Sequence, residues 1–134
     1  MPNLLNQIIK DEYKWKVIFW DWNWEDLTDI LFILWNTDFS GSGIIDLWSL
    51  QTIGWDAFFS NSEVTNLWNL QTIGWDAYFS HSKITNLWNL QTIGWDADFY
   101  ESQITDLWNL QSIGWTISWS DKLLQQAKER GIIK

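Results

Sequence analysis

Asp56, Asp76 and Asp96 recur 20 residues apart, the arrangement in this sequence best suited to holding a hard cation such as calcium. A column of stacked carboxylates repels itself without a counter-ion. Asp is also an ordinary corner residue that bonds its own backbone. The column continues as Asn36 on one side and Thr116 on the other, which fits that second role and makes no metal site the expectation. Catalytic chemistry has less to work with. His81 is the only histidine, and Asn61 and Glu101 occupy its place in neighbouring repeats, so a solvated corner is its expected position. The Asp96 and Asp98 pair is of a kind common on acidic surfaces. No nucleophile motif, phosphate-cradling glycine loop or histidine ligand spacing is present, and no cofactor is implied. The chain is therefore expected not to be an enzyme.

The sharper feature is a ladder of indoles, Trp48, Trp68, Trp88 and Trp108, again 20 residues apart. Each follows a leucine (Leu47, Leu67, Leu87, Leu107). In strand-like geometry neighbouring side chains point to opposite faces, so inward leucines imply outward tryptophans. Asp46, Asn66, Asn86 and Asp106 precede them, and polar residues follow. Four exposed indoles would make an apolar patch of the kind that marks an interaction site, and tryptophan is frequent among interface hot spots. These eight residues are the expected partner-binding set. The alternative is that the coil bends there and buries the indoles in a wide core.

These positions are set by a repeat that runs through almost the whole chain. A second series, Trp15, Trp35, Trp55, Trp75, Trp95 and Trp115, keeps the same period, with Phe19, Phe39, Phe59, Phe79, Phe99 and Trp119 four residues later. A fixed period of this length is the signature of a solenoid. Within residues 64–83 the apolar positions are Val64, Leu67, Leu70, Ile73, Trp75 and Phe79. Those steps match neither a helix nor a long period-2 strand, but suit short extended segments joined by corners, with these residues facing a shared core. Trp24, Leu27, Ile30, Ile33, Trp35 and Phe39 hold the same register, so the solenoid should begin well before its obvious copies. Gly54, Gly74, Gly94 and Gly114, with the Asp column, are expected at tight corners, where glycine accepts positive φ.

The pattern LxxLxxIxW, as in Leu87, Leu90, Ile93 and Trp95, resembles the leucine-rich-repeat consensus. The nearest likeness is to the BspA-like subgroup, through Ile73-Gly74, Ala77, Phe79, Ser82 and Ile84-Thr85. It covers roughly residues 24–119, with a shorter repeat than is usual in the family and without its asparagine after the strand. The resemblance implies a rigid protein-binding scaffold.

The expected architecture is thus a mainly β repeat solenoid of about six coils in a single domain, residues 1–134, with an N-terminal cap over 1–14, repeats over 15–119 and a helical cap over 120–134. At the C-terminal end Ser120-Asp121 precedes KLLQQAKER and Gly131, an N-cap, helix formers and a closing glycine. Leu123, Leu124 and Ala127 would plug the last coil.

Charge narrows the partners. The net charge is −9, and between Gly41 and Trp115 the only basic residue is Lys83. Such a body repels nucleic acid and anionic membrane and favours basic partners. The absence of cysteine excludes disulfides and thiol chemistry. No apolar run suits a signal peptide or a membrane span, so a cytoplasmic location is expected. Together these features point to an acidic inhibitor or immunity protein that binds a basic protein such as a toxin or nuclease, as a monomer or an edge-to-edge homodimer. Carbohydrate binding, with indoles stacked on sugar rings, is the alternative. An ice- or surface-binding solenoid on threonine ladders is a third and weaker one.

Overall fold

In the computed structural model, which describes residues 32–33, 36–40, 45–47, 49–118 and 120–133, the chain is a parallel β-solenoid closed by a C-terminal helix. Each coil contributes two short strands. The first set is β1 (Phe32–Ile33), β3 (Thr52–Ile53), β5 (Thr72–Ile73), β7 (Thr92–Ile93) and β9 (Ser112–Ile113). The second is β2 (Thr37–Asp38), β4 (Ala57–Phe58), β6 (Ala77–Tyr78), β8 (Ala97–Asp98) and β10 (Ile117–Ser118). Each set forms its own five-stranded parallel sheet, with every strand paired to the residue 20 positions away, Ile53 on Ile73 and Ala77 on Ala97.

Sequence identity between coils explains this register. When every coil places the same side chain at the same point, like stacks on like, and any slip would exchange buried for exposed positions. The core is a set of such columns. Leu67, Leu70, Ile73 and Phe79 are fully buried, as are their counterparts Leu87, Leu90 and Ile93. The phenylalanine column stacks ring on ring, with Phe59 to Phe79 and Phe79 to Phe99 both at 5.3 Å. Ile33 and Phe39 are buried in the same columns, so the degenerate repeat does keep the register where it is described. The residues expected to form the earliest coil and the N-terminal cap, with Trp24, Leu27, Ile30 and Trp35, lie outside the described residues.

Each coil turns at three places. In the coil around residues 64–83, the Leu70 N–H donates to the Leu67 carbonyl at 2.9 Å, the chain bends at Gly74-Trp75, and the Ser82 N–H donates to the Phe79 carbonyl at 3.1 Å. Two expectations change here. The left-handed corner positions are not the glycines. They are Trp68, Trp88 and Trp108 at one turn and Asn61, His81 and Glu101 at the other, with φ between 41° and 55°. The repeated glycines answer a different demand, close approach of stacked backbones. A Cβ on Gly94 would sit 1.8 Å from the Gly74 carbonyl oxygen.

The second correction concerns Trp55, Trp75, Trp95 and Trp115, expected inside with the other apolar positions. All four are exposed. Ile73 and Trp75 would share a face on a straight strand, but the bend between them turns Trp75 outwards. The inward place on the next strand passes to Ala57, Ala77 and Ala97, which are fully buried.

The helix α1 (Asp121–Glu129) closes the end, as its sequence signals indicate. The Ser120 side chain accepts the Leu123 N–H, Leu123 and Ala127 are buried, and Leu124 packs half-buried against the core. The cap also replaces the hydrogen bonds of an absent next coil. Where Asn89 and Asn109 donate to the Trp68 and Trp88 carbonyls, Arg130 donates to that of Trp108 at 2.7 Å. Gln126 accepts the Leu107 N–H, and the Ile132 carbonyl accepts that of Ile113. This satisfies edge groups that would otherwise recruit another strand. No helix among the described residues is long and apolar enough to cross a membrane.

Candidate functional site

Two indole ladders leave the core, one at the Leu67–Leu70 turn and one at the Gly74-Trp75 bend. Of the expected ladder, Trp68 and Trp108 are exposed at 41% and 49%, Trp88 is half-buried, and Trp48 lies outside the described residues. The outward direction was anticipated from strand alternation, but its cause is a turn. The left-handed backbone carries the Trp68 and Trp108 side chains outwards, whereas Trp88, with the same backbone, packs against the core. Trp68 and Trp88 stack with centroids 5.5 Å apart. The Trp88 indole nitrogen is buried without a hydrogen-bond partner.

The polar residues before these tryptophans mainly hold the turn. Asn86 Oδ1 and Asp106 Oδ1 accept the backbone N–H of Trp88 and Trp108, at 3.0 and 2.9 Å. Such Asx bonding two residues along is what tolerates a left-handed corner. Asp46 Oδ1 accepts both the Asn66 amide and the Trp68 indole N–H. Asp106 also faces Arg130, 3.8 Å away. The structure brings Asp46, Asn66 and Trp68 together directly, and places Asn86 and Asp106 at equivalent points of later coils.

The second ladder, Trp55, Trp75, Trp95 and Trp115, rises in exposure from 38% to 64% along the stack. Its rings are nearly parallel at the first step, 5.1 Å apart and 7° inclined, and open to 5.9 Å and 30° at the last. The signal for it was present in the sequence. Gly74 immediately before Trp75 marks the bend that reverses the face.

Beside this ladder runs the Asp column. Asp56 Oδ1 accepts the Asp76 backbone N–H, Asp76 Oδ1 that of Asp96, and Asp96 Oδ1 that of Thr116, at 2.9, 2.9 and 3.1 Å. Asn36 Oδ1 begins the series on the Asp56 N–H at 2.9 Å. The corner role of these residues is thus upheld, but the backbone each bonds belongs to the next coil. Among the described residues no three acidic or histidine side chains converge to hold a metal ion.

Tyr78 adds an aromatic to this face, stacking on Phe58 at 4.7 Å and donating its hydroxyl to Asp76 Oδ2 at 3.0 Å. Burial, then the hydrogen bond to Asp76 and the charges of Asp76, Asp56 and Asp96, push its phenol up to about 12. His81 is an exposed corner residue, as expected, with Nδ1 3.1 Å from Glu101 Oε2 and its ring edge-on to Tyr100. Lys83 is paired with Glu63.

No family model, no curated protein and no solved structure matches this chain.

Proposed function

We propose that this chain is a non-enzymatic protein-binding module, an acidic inhibitor or immunity-type protein that captures a basic protein such as a toxin or nuclease on a tryptophan-striped face, with the cytoplasm as its place of action. The observation that carries this reading is the double display of indoles. Six of the described tryptophans are exposed on a body whose one cation between Gly41 and Trp115 is already paired to Glu63. Exposed apolar area on that scale costs solubility unless a partner covers it. The rigid backbone holds the indoles ready, so little ordering entropy is lost on binding. The leucine-rich-repeat resemblance supports the same reading.

Stacking weighs against the carbohydrate alternative. Sugar rings pack on open indole faces, whereas Trp55, Trp75, Trp95 and Trp115 stack on one another in turn, as do Trp68 and Trp88, so that mainly edges are presented.

The test is affinity capture from the native host, eluted stepwise with salt. A stoichiometric basic protein released by salt is the expected result, because exposed charge pairs are screened over roughly 8 Å at physiological ionic strength. Recovery of no basic, salt-sensitive protein would overturn the proposal.

A further inference from the structure

The two ladders are not equivalent in what they leave for a partner. At the Trp68 corner Asp46 Oδ1 already takes two donors, Asp106 Oδ1 holds the Trp108 N–H, and Arg130 brings a positive charge to 3.8 Å from Asp106. At the Trp75 bend the carboxylates keep capacity. Asp56 and Asp96 each use Oδ1 on backbone, and Oδ2 of neither is engaged among the described residues. Asp76 alone spends its second oxygen, on Tyr78. The exposed indole column therefore runs beside a carboxylate column in which Asp56 and Asp96 are half-engaged, and neither is paired with a cation among the described residues.

We infer that this face, built on Trp75, Trp95, Trp115, Asp56 and Asp96, docks an arginine-rich segment of the basic partner. The inference rests on the protein-binding reading above and specifies its surface. Charge complementarity selects a basic occupant, and the geometry selects arginine over lysine. The guanidinium is planar and weakly hydrated and donates in a fixed fork to carboxylates, while its aliphatic stem covers the apolar indole edges. A lysine ammonium is a strongly hydrated point charge without that planar fork. Trp115 ends the ladder at 64% exposure, and no further indole stacks on its outer side among the described residues. That ring is the place for direct cation–π contact.

The native ladder supplies the discriminating variant. Asn36 already makes the same bond as the aspartates, its Oδ1 accepting the next coil's N–H at 2.9 Å. Asp56→Asn with Asp96→Asn thus removes charge while retaining the bonds that hold the coils. The experiment is calorimetric titration of the full chain with nona-arginine and nona-lysine peptides at physiological salt. Nona-arginine should bind at least about tenfold more tightly than nona-lysine, a difference in specific contact rather than in net charge. The D56N/D96N pair should lose about fivefold or more in arginine affinity with no fall in melting temperature, and W75A/W95A about tenfold or more. Equal affinity for the two peptides, or variants within about twofold of the parent, would overturn the inference and leave only diffuse charge attraction. The protein-binding reading fails separately. If a captured basic protein survives in D56N/D96N and W75A/W95A but is lost in W68A/W108A, the module stands and this surface assignment falls.

Discussion

Asp76 Oδ1 lies 2.9 Å from the backbone nitrogen of Asp96, one coil further along, and accepts its N–H. The side chain thereby acts as a vertical strut at a bend where the two sheets are interrupted. It also explains how a column of like charges persists: each carboxylate faces a donor from the next coil. Asp76→Ala would leave the Asp96 N–H without its acceptor and remove the Tyr78 partner, costing about 1–3 kcal/mol. Asp76→Asn should stay within about 1 kcal/mol of the parent. Urea unfolding of the two variants separates these outcomes.

Gly94 should tolerate no side chain. Gly94→Ala puts a methyl 1.8 Å from the Gly74 carbonyl oxygen, and backbone on backbone has no rotamer by which to yield. A loss of about 3 kcal/mol, or failure to fold, is expected. Gly131, at φ 71° with nothing within 4 Å, is a contrasting site where the penalty of an alanine is conformational alone. Parallel denaturation curves should rank Gly94→Ala well below Gly131→Ala.

Trp108 sits at φ 51°, a backbone that a bulky residue adopts at some cost, and its side chain is exposed. Asparagine is more at ease there. Trp108→Asn is expected to leave stability unchanged or raise it by up to about 1 kcal/mol. The same variant should keep nona-arginine affinity within about twofold of the parent, because the docking face lies at the other bend.

The C-terminal cap is a separable element. Ser120→Ala removes the acceptor for the Leu123 N–H and should cost about 1 kcal/mol. Arg130→Ala frees the Trp108 and Leu110 carbonyls, both of which Arg130 Nη2 now serves. Hydrogen exchange should show earlier loss of protection in β9 and β10 than in β5 and β6 for both variants.

Alkaline pH should loosen the Tyr78 face. The phenol is raised from 10.0 to about 12 by burial and by Asp76, so its neutral form is favoured in the folded protein. That contribution is full below pH 10, and it is lost as pH rises towards 12 and the folded phenol ionises. Tyr78→Phe, which copies the native Phe58, should remove this part of the alkaline destabilisation. Melting temperatures across that window compare the two proteins.

Much of the fold was legible because the chain repeats itself. The 20-residue period in Leu67, Ile73 and Phe79 and their copies dictates both a solenoid and its register, since identical coils can bury identical residues only by stacking in phase. The Ser120 cap and Gly131 bounded the last helix for equally local reasons. The acidic, cation-poor body and the Trp68 and Trp108 ladder were also visible without a fold. Tertiary structure decided which way the chain turns between Ile73 and Ala77. That choice depends on the Gly54 and Gly74 backbones meeting more closely than any Cβ allows and on Asp76 reaching the next coil, contacts between residues 20 positions apart that local pattern does not encode. It moved Trp75 and its copies from the expected core to the surface, put alanine in their place, and joined them to Asp56 and Asp96 as one face.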